Sequence, residues 1–187
     1  MINQKIFIHW KSFTLIETLV AISVFILGVL SVFSYVQYSF KTIIRQQEVI
    51  IMQNLAQEAI EVVRNYRDNN YLNPNEDGTE KPYYTNLCNN LNEECKYNLS
   101  FDGQEYFLKP YEDIPLKLIS QFGFPRYSYS NVIGTNTKFR RRIILKRTND
   151  SEGREYIKVI VEVANNPDWH NKYVLEDRLY NWFGTGA

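Results

Sequence analysis

The stretch that decides the fold is Ser12-Phe13-Thr14-Leu15-Ile16-Glu17-Thr18-Leu19-Val20-Ala21-Ile22, with the apolar run that continues from it. From Thr18 to Phe40 no residue carries a formal charge. Crossing a bilayer as a helix takes about 20 apolar residues. In hydrocarbon a backbone must satisfy its own hydrogen bonds, so a lone span of this length is helical. Glu17 stands at the head of the run with apolar neighbours on both sides. A carboxylate so placed is costly without a partner, which makes its default reading functional. The plainer alternative is an interfacial Glu favoured by the positive end of the helix dipole.

Beyond Phe40 the helical pattern does not stop. Ile44, Ile51, Leu55, Ala59, Val62, Val63 and Tyr66 recur at helical spacing and define one apolar face. Arg45, Gln46, Gln53, Gln57, Glu61 and Arg64 fill much of the remainder, and no Gly or Pro interrupts between Val29 and Asn73. The pattern predicts a helical spine over 13–68, its first part (about 13–40) in the membrane. At 1.5 Å per residue such a helix is roughly 80 Å long.

Lys11-Ser12-Phe13-Thr14-Leu15-Ile16-Glu17 resembles the cleavage and methylation motif of type IV prepilins and of the pseudopilins of type II secretion. In that family a short basic leader ends in a small residue. A membrane peptidase cuts after it and methylates the new N-terminal amine. The resemblance makes 1–12 the leader, Ser12 its last residue, Phe13 the methylated mature N-terminus, and Glu17 the glutamate that pairs with the N-terminus of a neighbouring subunit. Ser12 stands where Gly is usual. The leader holds Lys5, His9 and Lys11 and no acid, and positive charge before a span keeps that end in the cytoplasm. An ordinary secretory signal is cut after its apolar region. Here the candidate cut precedes it, so the run stays in the mature chain.

Past the spine, Asn69, Asn70, Asn73, Pro74, Asn75, Asp77 and Gly78 form a breaker cluster. The globular head is expected over 69–187. Tyr97-Asn98-Leu99-Ser100-Phe101 and Gln104-Glu105-Tyr106-Phe107-Leu108 flank Asp102-Gly103, a two-residue hairpin signal over 97–108. The stretch from Pro110 to Asn136 mixes prolines and glycines with aromatics, has no clean period, and reads as irregular. Strands return from Phe139 to Arg147, Tyr156 to Val163 and Tyr173 to Trp182, a meander over 139–183 with one face free to pack on a helix. The fold class is therefore α+β, a long N-terminal helix on a C-terminal antiparallel sheet, which resembles the pilin fold.

Cys88 and Cys95 are the only cysteines. In an extracytoplasmic head they read as a disulfide; two free thiols are the alternative. A metal is disfavoured, because no His lies nearby and the spacing is not a usual zinc spacing. The 21 basic and 21 acidic residues cancel, which argues against a dedicated nucleic-acid binder. Arg140-Arg141-Arg142 with Lys146 and Arg147 does not make one patch, since alternate strand residues face opposite sides. No nucleophile-and-base pair, P-loop or dinucleotide fingerprint is present. No enzymatic activity and no cofactor are expected.

The resemblance implies a structural subunit, a minor pilin or pseudopilin, in the cytoplasmic membrane of a bacterium or archaeon and then in an extracytoplasmic filament. Its implied partners are other pilin subunits, a prepilin peptidase, the inner-membrane assembly machinery and, before assembly, lipid. The competing expectation is a single-pass membrane protein with an extracytoplasmic binding domain and no filament.

Overall fold

The computed structural model describes residues 14–73, 82–120, 124–129 and 134–181. The chain forms two compact units, one up to Gln46 and one from Gln47 onward. One helix, α1 (Leu15–Leu72), runs through the described part of the first unit and continues into the second. Thr14 starts it. Its carbonyl accepts the amide protons of Glu17 (3.1 Å) and Thr18 (3.2 Å), and its hydroxyl also accepts from Glu17 N (3.3 Å), the role that Ser and Thr fill at helix N-caps. Phe13 lies outside the described residues.

In the second unit α1 lies on a five-stranded antiparallel sheet of order β2-β1-β6-β7-β8. The strands are β1 (Glu94–Phe101), β2 (Tyr106–Pro110), β6 (Arg140–Asn149), β7 (Glu155–Ala164) and β8 (Lys172–Tyr180). Three short strands, β3 (Lys117–Ile119), β4 (Arg126–Ser128) and β5 (Thr135–Asn136), make a second small sheet. The alternation read in β7 fixes the core. Ile157, Val159, Val161 and Val163 are all fully buried towards the helix, with Val161 and Val159 directly opposite Ile143 and Leu145 of β6. From the helix side Met52, Leu55, Ala56, Ala59, Ile60 and Val63 close the core. Burying an aliphatic side chain contributes about 1.5–3 kcal/mol, so this stripe is what holds helix to sheet.

The structure departs from the sequence reading in five places. The buried stripe of α1 starts at Met52, and Ile44 is exposed while Ile51 and Val62 are only partly buried. Lipid-facing and core-facing apolar residues share one period, so periodicity cannot say where a head begins to cover the helix. The helix runs to Leu72 and not to 68. Asn70, read as a breaker, is buried and donates to the carbonyls of Tyr83 (3.1 Å) and Thr85 (2.9 Å), which makes it an anchor for the following loop.

The hairpin is joined by four residues, Asp102–Glu105, and not two. The Asp102 carboxylate accepts the amides of Gln104 and Glu105, each at 2.9 Å, an Asx arrangement that opens the turn. Gly103 sits at φ 113°, where a side chain is disfavoured. Finally, the stretch expected to be irregular holds the small sheet. Leu116 N donates to Phe139 O (2.8 Å) and Thr137 N to Leu116 O (2.9 Å), which ties that sheet to the start of β6.

Candidate functional site

In the first unit the uncharged run is helical and long and apolar enough to cross a membrane, with none of its most apolar 18-residue window buried. Leu15 and Ile16 are 82% and 72% exposed, and Phe25 and Phe33 are exposed as well. The Ser and Thr hydroxyls of the run, and Thr42 just beyond it, turn inward on the backbone. The hydroxyls of Thr18, Ser23, Ser31, Ser34, Ser39 and Thr42 donate to carbonyls three or four residues earlier, at 2.8–3.0 Å. Such bonds satisfy a hydroxyl without water, which is what an apolar surrounding demands. A Cβ placed on Gly28 would meet nothing within 4 Å. Glu17 lies in the first turn with its side chain exposed. It is the one carboxylate on a helix surface otherwise suited to hydrocarbon.

The second unit locks its helix to its sheet through buried charge. Arg141, fully buried on the inner face of β6, pairs with Glu58 of α1 at 2.6 Å. It also donates to the carbonyls of Leu55 (3.0 Å) and Leu99 (3.4 Å). Tyr106 donates its hydroxyl to the same Glu58 (2.6 Å). Burial, and then the Glu58 carboxylate, push the Tyr106 phenol up to about 12. Further along, Arg64 bridges Glu61 (2.7 Å) and Asp177 of β8 (2.8 Å). Glu48 holds Lys138 and, at 2.7 Å, Asn165. The pairing of Arg141 was missed in the sequence, although a signal was there. The inward register of Ile143 and Leu145 carries Arg141 with it, and an inward arginine requires a carboxylate partner.

Two carboxylates of the sheet set an acid limit for the head. Burial pushes the Glu162 carboxyl up, but hydrogen bonds from Lys172 and Arg142 outweigh it and hold the group below its ordinary value. Glu155 behaves likewise, with Arg147 and Tyr83 outweighing burial. A carboxylate whose folded pKa lies below its unfolded value stabilises fully above the unfolded value. That contribution is lost as pH falls through the folded one. The head should therefore hold its stability down to about pH 4.5, the ordinary value for these groups, and lose it below. Thermal melting of the full chain in neutral detergent against pH measures this. Glu162→Gln should flatten the acid limb, and an unchanged acid profile would contradict the assignment.

Cys88 and Cys95 are joined in a disulfide with their Cα atoms 5.7 Å apart. Cys95 belongs to β1, opposite Leu145, so the crosslink ties the loop after the helix to the sheet. Arg147 donates to Asn89 O (2.7 Å), and Asn92 N to Arg147 O (2.7 Å), which fasten the same loop. Of the residues singled out in the sequence, the two cysteines are brought together and Glu17 is placed in the first turn of α1. Ser12 and Phe13 lie outside the described residues. Among the described residues no group of His, Cys, Asp or Glu is placed to hold a metal. Comparison with family models, with curated proteins and with solved structures gives no match to this chain.

Proposed function

We propose that the chain is a structural subunit of the type IV pilin kind, a minor pilin or pseudopilin, whose work is assembly and not catalysis. In this reading the leader is cut after Ser12, Phe13 becomes a methylated N-terminus, and the spine is lifted from the membrane into a filament core of packed helices. The observation that carries it is Glu17. It stands in the first turn of a helix that, from Thr18 as far as Ser34, exposes only apolar groups and hydroxyls bonded back to the helix's own carbonyls. At the head of a lipid span a carboxylate gains only the small helix-dipole stabilisation, whereas a filament needs a partner for the positive N-terminus of the next subunit. The continuation of the same helix into a buried stripe under a sheet supports the reading, since it fastens the head to the spine.

Processing is the test. Co-expression with a prepilin peptidase should remove residues 1–12 and leave a chain that begins at methylated Phe13, read by mass spectrometry. Ser12→Gly should be cut at least as well, and Ser12→Leu should not be cut. An intact leader beside an active peptidase would favour the single-pass membrane protein with an extracytoplasmic binding domain.

A further inference from the structure

The five-stranded sheet ends in two unlike edges. One edge is β2, which has five residues, carries Lys109 and ends at Pro110. Short length, lysine and proline are three of the ways in which natural sheets keep an edge from pairing with another chain. The other edge is β8, nine residues from Lys172 to Tyr180 with no proline. It pairs with β7 along its whole length, and among the described residues no strand pairs with its other side. Such an edge offers a row of backbone donors and acceptors to any extended chain.

The order of residues in β8 makes a second copy of the same strand the chain that fits. Two β8 strands paired antiparallel about residue 177 set Glu176 opposite Arg178, Leu175 opposite Leu179 and Val174 opposite Tyr180, each twice. Opposite charges and apolar pairs placed directly across a ladder stabilise it. The centre alone is discordant, because Asp177 meets Asp177. Moving the centre by one residue is worse. It sets Glu176 or Arg178 against itself, and Asp177 against Leu175 or Leu179. Centred on Val174, only Lys172 to Glu176 would pair. Asp177 is also out of place in its own sheet. It stands opposite Val159 on the inner face, between Leu175 and Leu179, where its neighbours belong to the core. Arg64 of α1 holds it there at 2.8 Å, and Glu61 holds Arg64 at 2.7 Å. The Asp177 carboxylate also accepts the amide proton of Arg178 at 2.8 Å.

We propose that Asp177, held inward by Arg64, is a block that keeps β8 from pairing edge to edge with a second copy of the chain. An inward-pointing charge on an edge strand is one of the devices by which natural sheets avoid such pairing. In the pair centred on residue 177 each carboxylate faces its like directly across the ladder, which destabilises it. Closing the ladder also takes both carboxylates out of water with no new partner, which costs more. Everything else along the edge is matched to its own copy, so the block rests on one side chain. The proposal goes beyond filament assembly and does not rest on it, since any chain concentrated in one membrane plane meets the same hazard.

The test uses the full chain in neutral detergent micelles, with the number of chains per micelle measured by sedimentation. The natural chain should be single. Asp177→Val should dimerise, with a dissociation constant lowered roughly tenfold or more. Adding Glu176→Lys to that variant sets a cation against Arg178 and should make the chain single again. Asp177→Cys should give a covalent dimer under mild oxidation, because position 177 faces itself. Glu176→Cys in the Asp177→Val chain should not, because position 176 faces position 178. Melting curves establish that each variant is folded. If Asp177→Val does not fold, Asp177→Asn, of the same shape without the charge, is read in the same assay and should dimerise more weakly. A folded variant at position 177 that stays single, dimers indifferent to Glu176→Lys, or equal crosslinking through positions 176 and 177 would overturn the proposal. A natural chain that is already dimeric would overturn it too. No peptidase or assembly machinery is present, so this idea and the filament reading can each fail alone.

Discussion

Glu17→Gln is expected to leave the chain inserted in the membrane and cut after Ser12, yet absent from filaments. The substitution keeps shape and polarity and removes the carboxylate. In a packed-helix core it leaves the N-terminal amine of a neighbouring Phe13 without a partner. Breaking a buried ion pair from one side costs about 3–5 kcal/mol, over a hundredfold in an assembly equilibrium. Comparing sheared filament fractions with membrane fractions, with the partner pilins present, reads the effect. Equal incorporation of the variant would remove the pairing role. Glu17 would then be an interfacial residue at the positive end of the helix, where replacement costs only about 0.3–1 kcal/mol.

The second large effect is expected in the head. Arg141 is fully buried and joins α1 to β6 through Glu58 and two backbone carbonyls. Arg141→Ala leaves Glu58 with only the Tyr106 hydroxyl, removes a donor from each of two backbone carbonyls and empties a large volume. A loss of about 3–5 kcal/mol follows, measured by denaturant unfolding of the full chain in neutral detergent. Arg141→Met with Glu58→Leu removes both charges and refills the space. Such apolar replacements of a buried pair are often neutral or stabilising, so the double variant should be more stable than Arg141→Ala. Strictly additive losses from Arg141→Met and Glu58→Leu would show that the two side chains are not coupled.

These two residues also mark what the sequence could and could not tell. The uncharged run and its Glu17 were legible because a span is a local property, a length and a composition. The meander was legible for the same reason. In β7 the alternation of Ile157, Val159, Val161 and Val163 declares its inner face without reference to any other element. The small sheet was not legible. β3 has three residues and β5 two, shorter than any window in which alternation can be seen. Its bonds run to distant residues instead. Ser128 Oγ accepts from Phe101 N (2.8 Å), and Tyr129 donates to the carbonyl of Arg141 (2.6 Å). Asn70 misled because a buried Asn and a helix-breaking Asn are the same letter. Only the carbonyls of Tyr83 and Thr85 distinguish them.

The candidate site divides in the same way. Cys88 and Cys95 pair as the sequence reading expected. The sequence reading set aside the cluster at Arg140-Arg141-Arg142 and was right to divide it. Arg141 turns into the core, and Arg142 turns to the outer face beside Trp169. A charge run on a strand is two half-runs with different surroundings.

The most direct measurement of the central claim is made on filaments themselves. Filaments sheared from cells that express the chain with its assembly machinery should contain it. Its first peptide should begin at methylated Phe13, and Cys88 and Cys95 should still be joined. Recovery of the chain only in the membrane fraction, with its leader attached, while the same cells shed filaments of other subunits, would contradict the account.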